Sequence, residues 1–273
     1  MLASRRGEKQ EPFRTLDQNK VLKLLTLARD LRRRKARERQ HLFVSEGFRA
    51  VEELLRDSLS IEGALVTPAF ESSSHGAALL QSLDARGVQV LRVSDAEFES
   101  AAETESPQGV LAIARVPTHT LDDVAKAGLR RLLVLDAVQD PGNVGTILRT
   151  AAALSVTATI ALPGTVDLWN AKVVRSAMGA HFHHFTLSST WDELDSFRAM
   201  HHIAMWGADA AGEPVDAVRA PERLALVVGN EGNGLTAPSR DRVERLVALP
   251  ISSDVDSLNV AVATGIFLYL LSR

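Results

Sequence analysis

Apolar residues follow two rhythms along this chain. Short unbroken runs that end in polar turns alternate with longer stretches in which apolar positions recur every three or four residues. The second rhythm opens at Asn19, where Val21, Leu24, Leu25, Ala28 and Leu31 share one helical face. That helix runs out into Arg32-Arg33-Arg34-Lys35-Ala36-Arg37. Leu42-Phe43-Val44 then leads through Ser45 into a helix over 46–56. Strands are predicted over 61–66, 88–93 and 109–114, and a helix over 75–85. A short helix follows Ser94, with Ser94 at the N-cap and Glu97 three residues on, a capping-box pattern.

A second series starts at residue 131. Strands are predicted over 131–137, 158–162, 182–187, 203–208, 224–228 and 246–249. Helices are predicted over 143–154, 169–178 and 191–201, with an almost wholly apolar one over 258–271. Strands alternating with helices imply an α/β fold with a parallel sheet covered on both faces. The polar, aperiodic residues 1–17 read as a disordered tail. Residues 18–115 read as a smaller α/β domain led by the basic helix, 116–130 as a linker, and 131–273 as the larger domain.

Composition narrows the function classes. The 273 residues contain no cysteine, which excludes disulfides, thiolate metal ligands and a thiol nucleophile. The N-terminus has no apolar run of signal-peptide type, and the stretch 258–271 falls short of the ~20 residues that span a bilayer. A cytoplasmic location without membrane contact is expected. Charge is unevenly distributed. Residues 1–40 hold 13 Lys or Arg against 5 Asp or Glu, a net +8, while the rest hold 18 against 29, a net −11. A basic arm on an acidic body points to a polyanion, with Arg32, Arg33, Arg34, Lys35 and Arg37 as its contacts. Cations at a helix C-terminus are also favoured by its dipole, so part of the cluster serves the helix itself.

The last two strands carry the candidate chemistry. One breaks into Gly229-Asn230-Glu231-Gly232-Asn233-Gly234, the other at Pro250 into Ser252-Ser253-Asp254-Val255-Asp256-Ser257. Ligands of open α/β sheets bind where strands end in such loops, and glycines let backbone approach a ligand closely. Ser257 stands where an N-cap belongs, and Asn259 in the first turn of an apolar helix requires polar partners. Asn143 opens an earlier helix, and Arg149, six residues on among Ile147, Leu148 and Ala151, must reach solvent or find a partner. Glu231 is either a solvated turn acid or that partner.

Other signals carry less. The loop 229–234 reads G-x-x-G-x-G rather than G-x-G-x-x-G, and no Walker A sequence is present. In a strand, His181 and His183 would share one face and His184 the other, which argues against a metal site. Trp169, Trp191 and Trp206 are expected to pack rather than stack on bases.

Three segments together resemble the ordered motifs of the SpoU/TrmH family of S-adenosylmethionine-dependent RNA ribose 2′-O-methyltransferases. They are Asn143-x-Gly145-x-x-x-Arg149-x-Ala151, then Gly229-Asn230-Glu231-Gly232-x-Gly234, then Pro250 with Ser257-Leu258-Asn259-Val260 and Ala263. Each motif alone is weak, but three in this order and spacing are specific. FVSEGFRAVEELL and SPQGVLAI, within residues 37–114, are similar to the substrate-binding domain of many members. One departure is Pro250-Ile251-Ser252-Ser253, where many members carry Pro-Met-x-Gly.

The resemblance implies a C-terminal α/β domain with a deep trefoil knot, an L30e-like α/β domain before it, and a homodimer whose active site draws on both subunits. It implies S-adenosylmethionine held against backbone at Gly229, Leu249 and Leu258. It assigns the active site to Asn143, Arg149, Glu231, Ser257 and Asn259, with Glu231 positioning Arg149 or, with Asn143, the nucleotide. Ribosomal RNA of the 23S type is the first expectation for substrate and transfer RNA the second. A catalytically silent RNA-binding homologue and an enzyme acting on a non-RNA substrate are the remaining classes.

Overall fold

The computed structural model describes residues 18–252, 254 and 257–272; the tail 1–17 and Ser253 lie outside them. The chain opens with two helices where the pattern predicted one, α1 (Gln18–Asp30) and α2 (Arg34–Gln40). The break has a physical cause. Leu31 sinks into the core, and Arg37 Nη1 folds back to donate to the carbonyls of Leu31, at 2.6 Å, and Arg32, at 2.9 Å. The guanidinium thereby satisfies acceptors that a helix end leaves open.

The first domain continues through β1 (Leu42–Glu46), α3 (Phe48–Arg56), β2 (Ile61–Val66), α4 (Pro68–Glu71), α5 (Ser74–Ala85), β3 (Val90–Arg92), α6 (Asp95–Ala101) and β4 (Val110–Arg115). Ser45, expected to lead into a helix, is a buried residue of β1, and Gly47 at φ 97° makes the turn into α3. The capping box of Ser94 and Glu97 is formed. The sheet order is β1-β4-β2-β3, with β4 antiparallel to both neighbours and β3 parallel to β2.

The stretch 116–130 contains a helix, α7 (Leu121–Ala127), closed by a capping box of Thr120 and Asp123. Val124 of α7 is buried against the larger domain's core, so much of the expected linker is packed structure. The larger domain then runs β5 (Arg131–Leu135), α8 (Pro141–Ala153), β6 (Ala158–Ala161), α9 (Ala171–Ala177), β7 (Phe185–Ser188), α10 (Trp191–His201), β8 (Ala204–Pro214), β9 (Leu224–Val228), α11 (Ala237–Arg240), β10 (Arg245–Ala248) and α12 (Val260–Leu271). The strand order is β10-β8-β9-β5-β6-β7, and every adjacent pair is parallel. Helices on both faces explain why these strands read as unbroken apolar runs. The strand predicted over 182–187 begins only at Phe185. His181 falls in a 3-10 turn (Ala180–Phe182), so the alternation expected of His181, His183 and His184 does not hold.

One apolar core crosses the domain boundary. Phe43 of β1 meets Trp169 at 4.6 Å and Phe182 at 5.7 Å between ring centroids. Val51 and Leu54 of α3 belong to the same cluster as Val138, Ile147 and Val174. Two polar contacts flank it: Arg37 Nε to Asp167 at 2.6 Å, and His183 Nδ1 to Asp57 at 2.9 Å.

Candidate active site

In a parallel sheet all carboxyl ends face one way, and the loops after β9 and β10 converge there with a bulged stretch of β8 on a cleft of about 650 Å³. Each wall has a local cause. At Gly229 an added Cβ would lie 2.3 Å from the Gly234 carbonyl, so only glycine lets the loop close on itself through the Asn230–Gly234 bridge. Asn230 shapes that loop, accepting from the N–H groups of Gly232 and Asn233 and donating to the Ala137 carbonyl. On the other side β8 and β10 change register: Leu246 pairs with Gly207, but Val247 pairs with Glu213. The intervening bulge brings Ala208, Asp209, Ala210 and Gly212 into the cleft wall.

Asp136, just past β5, pins the far side. Its buried carboxylate accepts from Thr236 N–H at 2.7 Å, from the Thr236 hydroxyl at 3.1 Å, and from Ser239 Oγ. Sequence reasoning missed Asp136, although a lone carboxylate closing the run Leu132-Leu133-Val134-Leu135 was a usable signal.

Three distant segments meet at the mouth of the cleft. Pro141 starts α8 behind Asp140, whose carboxylate accepts from Asn143 N–H at 2.8 Å. Asn143 Nδ2 donates to Glu231 Oε1 at 3.1 Å, and Asn143 Oδ1 accepts from Asn259 Nδ2 at 2.9 Å. Asn259 also caps α12, its Oδ1 accepting from Ala261 N–H at 2.9 Å and Val262 N–H at 3.3 Å. Glu231 completes the chain by accepting from the N–H groups of Asp140, at 3.0 Å, and Gln139, at 3.2 Å. Partial burial pushes the Glu231 carboxyl up, but the hydrogen bonds from its own loop backbone, Asn143, Asp140 and Gln139 outweigh that and hold it below the usual carboxylate range.

The structure corrects several expectations. Ser257 does not cap the last helix; the cap is Asn259, and Ser257 is an exposed residue of the cleft wall. Arg149 does not pair with Glu231. Its exposed side chain runs toward α9, with Nη1 3.1 Å from the Met178 sulfur, while Glu231 is held by amides. The six-residue spacing along α8 separates Arg149 from the Asn143 end. Gly229, Leu249 and Leu258 all line the cleft. Arg32, Arg33, Arg34 and Lys35 are exposed, but Arg37 is 4% exposed and committed to Asp167 and two carbonyls, so it is a structural residue rather than a surface contact. His183 is exposed and paired with Asp57, whereas His181 is buried against Trp169 and Phe182. The tryptophans pack as expected: Trp169 on Phe43, Trp191 under Arg242 and Trp206 under Arg245.

Residues 130–269 match the SpoU rRNA Methylase family, and residues 23–112 match the MRM3-like substrate binding domain. The chain belongs to the SpoU rRNA methylase family. It is 35% identical over 88% of its length to the 23S rRNA (guanosine(2553)-2′-O)-methyltransferase RlmP of Bacillus subtilis, covering 92% of that protein. It is 32% identical over 83% of its length to the 23S rRNA (guanosine-2′-O-)-methyltransferase RlmB of Bordetella pertussis, covering 95% of it. The AdoMet-bound rRNA methyltransferase from Sinorhizobium meliloti superposes with a TM-score of 0.79 at 27% identity, over 92% of this chain and 94% of that one. The SpoU domain thus includes the whole six-stranded sheet and the cleft.

Proposed function

We propose that this SpoU-family chain methylates a ribose 2′-hydroxyl in ribosomal RNA of the 23S type, with S-adenosylmethionine as methyl donor. The observation that carries the reading is the chain Glu231–Asn143–Asn259, in which all three motif segments are hydrogen-bonded at the mouth of one cleft. The cleft suits the donor. It offers backbone at Gly229, Leu249 and Leu258 for polar contacts and the side chains of Leu249, Leu258 and Phe267 for an adenosyl group. When bound, the donor supplies an electrophilic methyl group on sulfonium.

The remaining work belongs to the chain. A ribose hydroxyl is a poor nucleophile and must lose its proton as it attacks in line. A guanidinium gives up its proton too reluctantly to be an economical general base. Arg149 instead orients the ribose and its phosphate and stabilises the developing alkoxide. Its role does not require Glu231 as a partner. Asn143, Asn259 and Glu231 fix the loops around the nucleotide, and Ser257 presents its hydroxyl to the cleft. Arg32, Arg33, Arg34 and Lys35 supply sequence-independent phosphate attraction.

The reading includes a homodimer. Val262, Ile266 and Tyr269 form an exposed apolar stripe on α12, and Arg149 stands outside the lining of its own chain's cleft. The family's trefoil knot also belongs to it, consistent with the loops after β9 and β10 closing one cleft against the bulge of β8. So does a cytoplasmic location, where ribosomal RNA is met. Among the described residues no helix is long and apolar enough to cross a membrane.

The test is methyl transfer from labelled S-adenosylmethionine to unmodified ribosomal RNA and, separately, to transfer RNA, with Arg149→Ala as control. Alkali-resistant label in ribosomal RNA, reduced at least a hundredfold in the variant, is expected. Label only in transfer RNA would move the substrate and keep the chemistry. No label and no cofactor binding would sink the enzyme reading in favour of a silent RNA-binding protein.

A further inference from the structure

Two cavities outside the cleft share residues and lead from Arg149 to the far side of the smaller domain. The first, about 290 Å³, lies at the domain junction. Arg49 of α3 and Arg175 of α9 line it, as does Met178, the residue Arg149 touches. Arg175 Nη1 is buried and meets no acceptor among the described residues. A buried unpaired donor is unfavourable, and a short swing of the guanidinium toward an anionic oxygen in this cavity relieves it. The one carboxylate in the lining, Glu46, is already engaged by Glu103 N–H and the Thr104 hydroxyl.

The second cavity, about 800 Å³, opens on the other side of Arg49 and Gln108, which line both. Aromatic rings are part of its lining. The half-buried Phe48 and the exposed His75 stand 5.0 Å apart between ring centroids, tilted by 59°. Gln108 Oε1 accepts from Phe48 N–H at 2.9 Å, which fixes the amide beside Phe48. Asp95 and Glu99 line the opposite wall. Those acids oppose a phosphate there but can accept from the N–H edge of a base. The two cavities are therefore complementary in kind: cations at the junction, stacking and hydrogen-bonding groups beyond it.

We propose that the RNA strand leaving the reaction centre crosses the domain junction with one backbone phosphate held between Arg175 and Arg49, and places an unpaired base on Phe48 and His75, beside Gln108. This inference rests on the RNA methyltransferase reading and gives it a second point of attachment. A base paired and stacked inside a duplex has no free face to offer a side-chain ring, so the occupant is a single-stranded or flipped nucleotide.

The test uses the full chain, unmodified 23S ribosomal RNA and the variants Phe48→Ala, Phe48→Trp, Arg49→Glu and Arg175→Gln, with RNA affinity, RNA KM and S-adenosylmethionine affinity measured on each. Phe48→Ala should weaken RNA binding at least fivefold, and Phe48→Trp, which keeps a stacking face, should recover most of the loss. Arg49→Glu and Arg175→Gln should each lower the salt slope of RNA binding by about one phosphate contact. Cofactor affinity should be unchanged throughout, which separates this outcome from general damage. Arg49 is exposed, so its variant remains informative if Phe48→Ala unfolds. Wild-type methylation of RNA together with unaltered RNA affinity in Phe48→Ala and Arg49→Glu overturns the proposal and leaves the function standing. Wild-type RNA binding without methylation removes the function, and the variants' affinities still decide the path. Absence of RNA binding in the wild type removes both.

Discussion

Three residues along one short helix separate a cation that meets solvent from one that holds the protein together. Arg34 is exposed, with only Glu38 beside it at 2.7 Å, whereas Arg37 is buried and bonded to Asp167 across the domain boundary. Removing one partner of a buried pair strands the other, at a cost of about 3–5 kcal/mol. Arg37→Ala should therefore lose stability on that scale in urea unfolding, and Arg34→Ala about 0.5 kcal/mol or less. Equal losses in the two variants would contradict the assignment of Arg37. His181 gives a second residue-scale prediction. Burial lowers its pKa to about 3, with the neighbouring His184 adding a smaller push, while burial lowers His184 to about 4. Folded values below the ordinary 6.5 mean that the unfolded chain binds more protons in that window, so stability is complete above about pH 6.5 and declines as pH falls toward 4. Each histidine contributes a slope of up to about 1.4 kcal/mol per pH unit. His181→Phe should remove one share of that slope, measured as unfolding free energy at pH 7 and pH 5. An unchanged slope would show that His181 takes up its proton in the native state just as it does in the unfolded chain.

At the scale of elements, the glycine of the first motif has a packing reason. α8 and α9 approach so closely that a Cβ at Gly145 would lie 2.5 Å from Ser176 Cβ and 2.7 Å from the Val173 carbonyl. Gly145→Ala should cost about 1–3 kcal/mol through overpacking and spread the two helices. Because α8 carries Asn143 and α9 leads to Met178, the same change should weaken RNA methylation beyond what lost stability explains, as read from activity at a temperature where the variant stays folded. Legibility also divides at this scale. The strands of the larger sheet are readable because both faces are buried, and the capping box at Ser94 because its two members lie only three residues apart in sequence. The last helix was placed two residues early. Ser257 and Asn259 are both capable caps, and the choice falls to Asn259 because its amide reaches Asn143, a contact 116 residues away that no local pattern contains. For the same reason the sequence leaves Glu231 open between Arg149 and Asn143, and the structure pairs it with Asn143. Its partners are Asn143 and two backbone N–H groups, and the backbone offers no residue type to recognise. The break between α1 and α2 is likewise imposed by Leu31 and Arg37 turning inward, while the charge run around them looks uniform in sequence.

At the scale of the molecule, both domains contribute to one apolar cluster, with Phe43, Val51 and Leu54 on one side and Val138, Ile147 and Val174 on the other. Units that share a core unfold together. Calorimetry on the full chain should show a single transition, and Phe43→Ala should lower it as a whole by about 3–5 kcal/mol without splitting it. Two separated transitions would mean that the boundary contacts are weaker than their burial implies. The fused core has a further consequence. Interfaces between domains are commonly polar and permit hinge motion, but here the rings of Phe43, Trp169 and Phe182 interlock where a hinge would turn. The interval between the hand that grips the RNA and the hand that modifies it is thus built in as a fixed length. On the RNA path proposed above, that fixed length makes the protein a gauge, accepting a folded RNA by whether its exposed nucleotide and its reactive ribose stand the required distance apart.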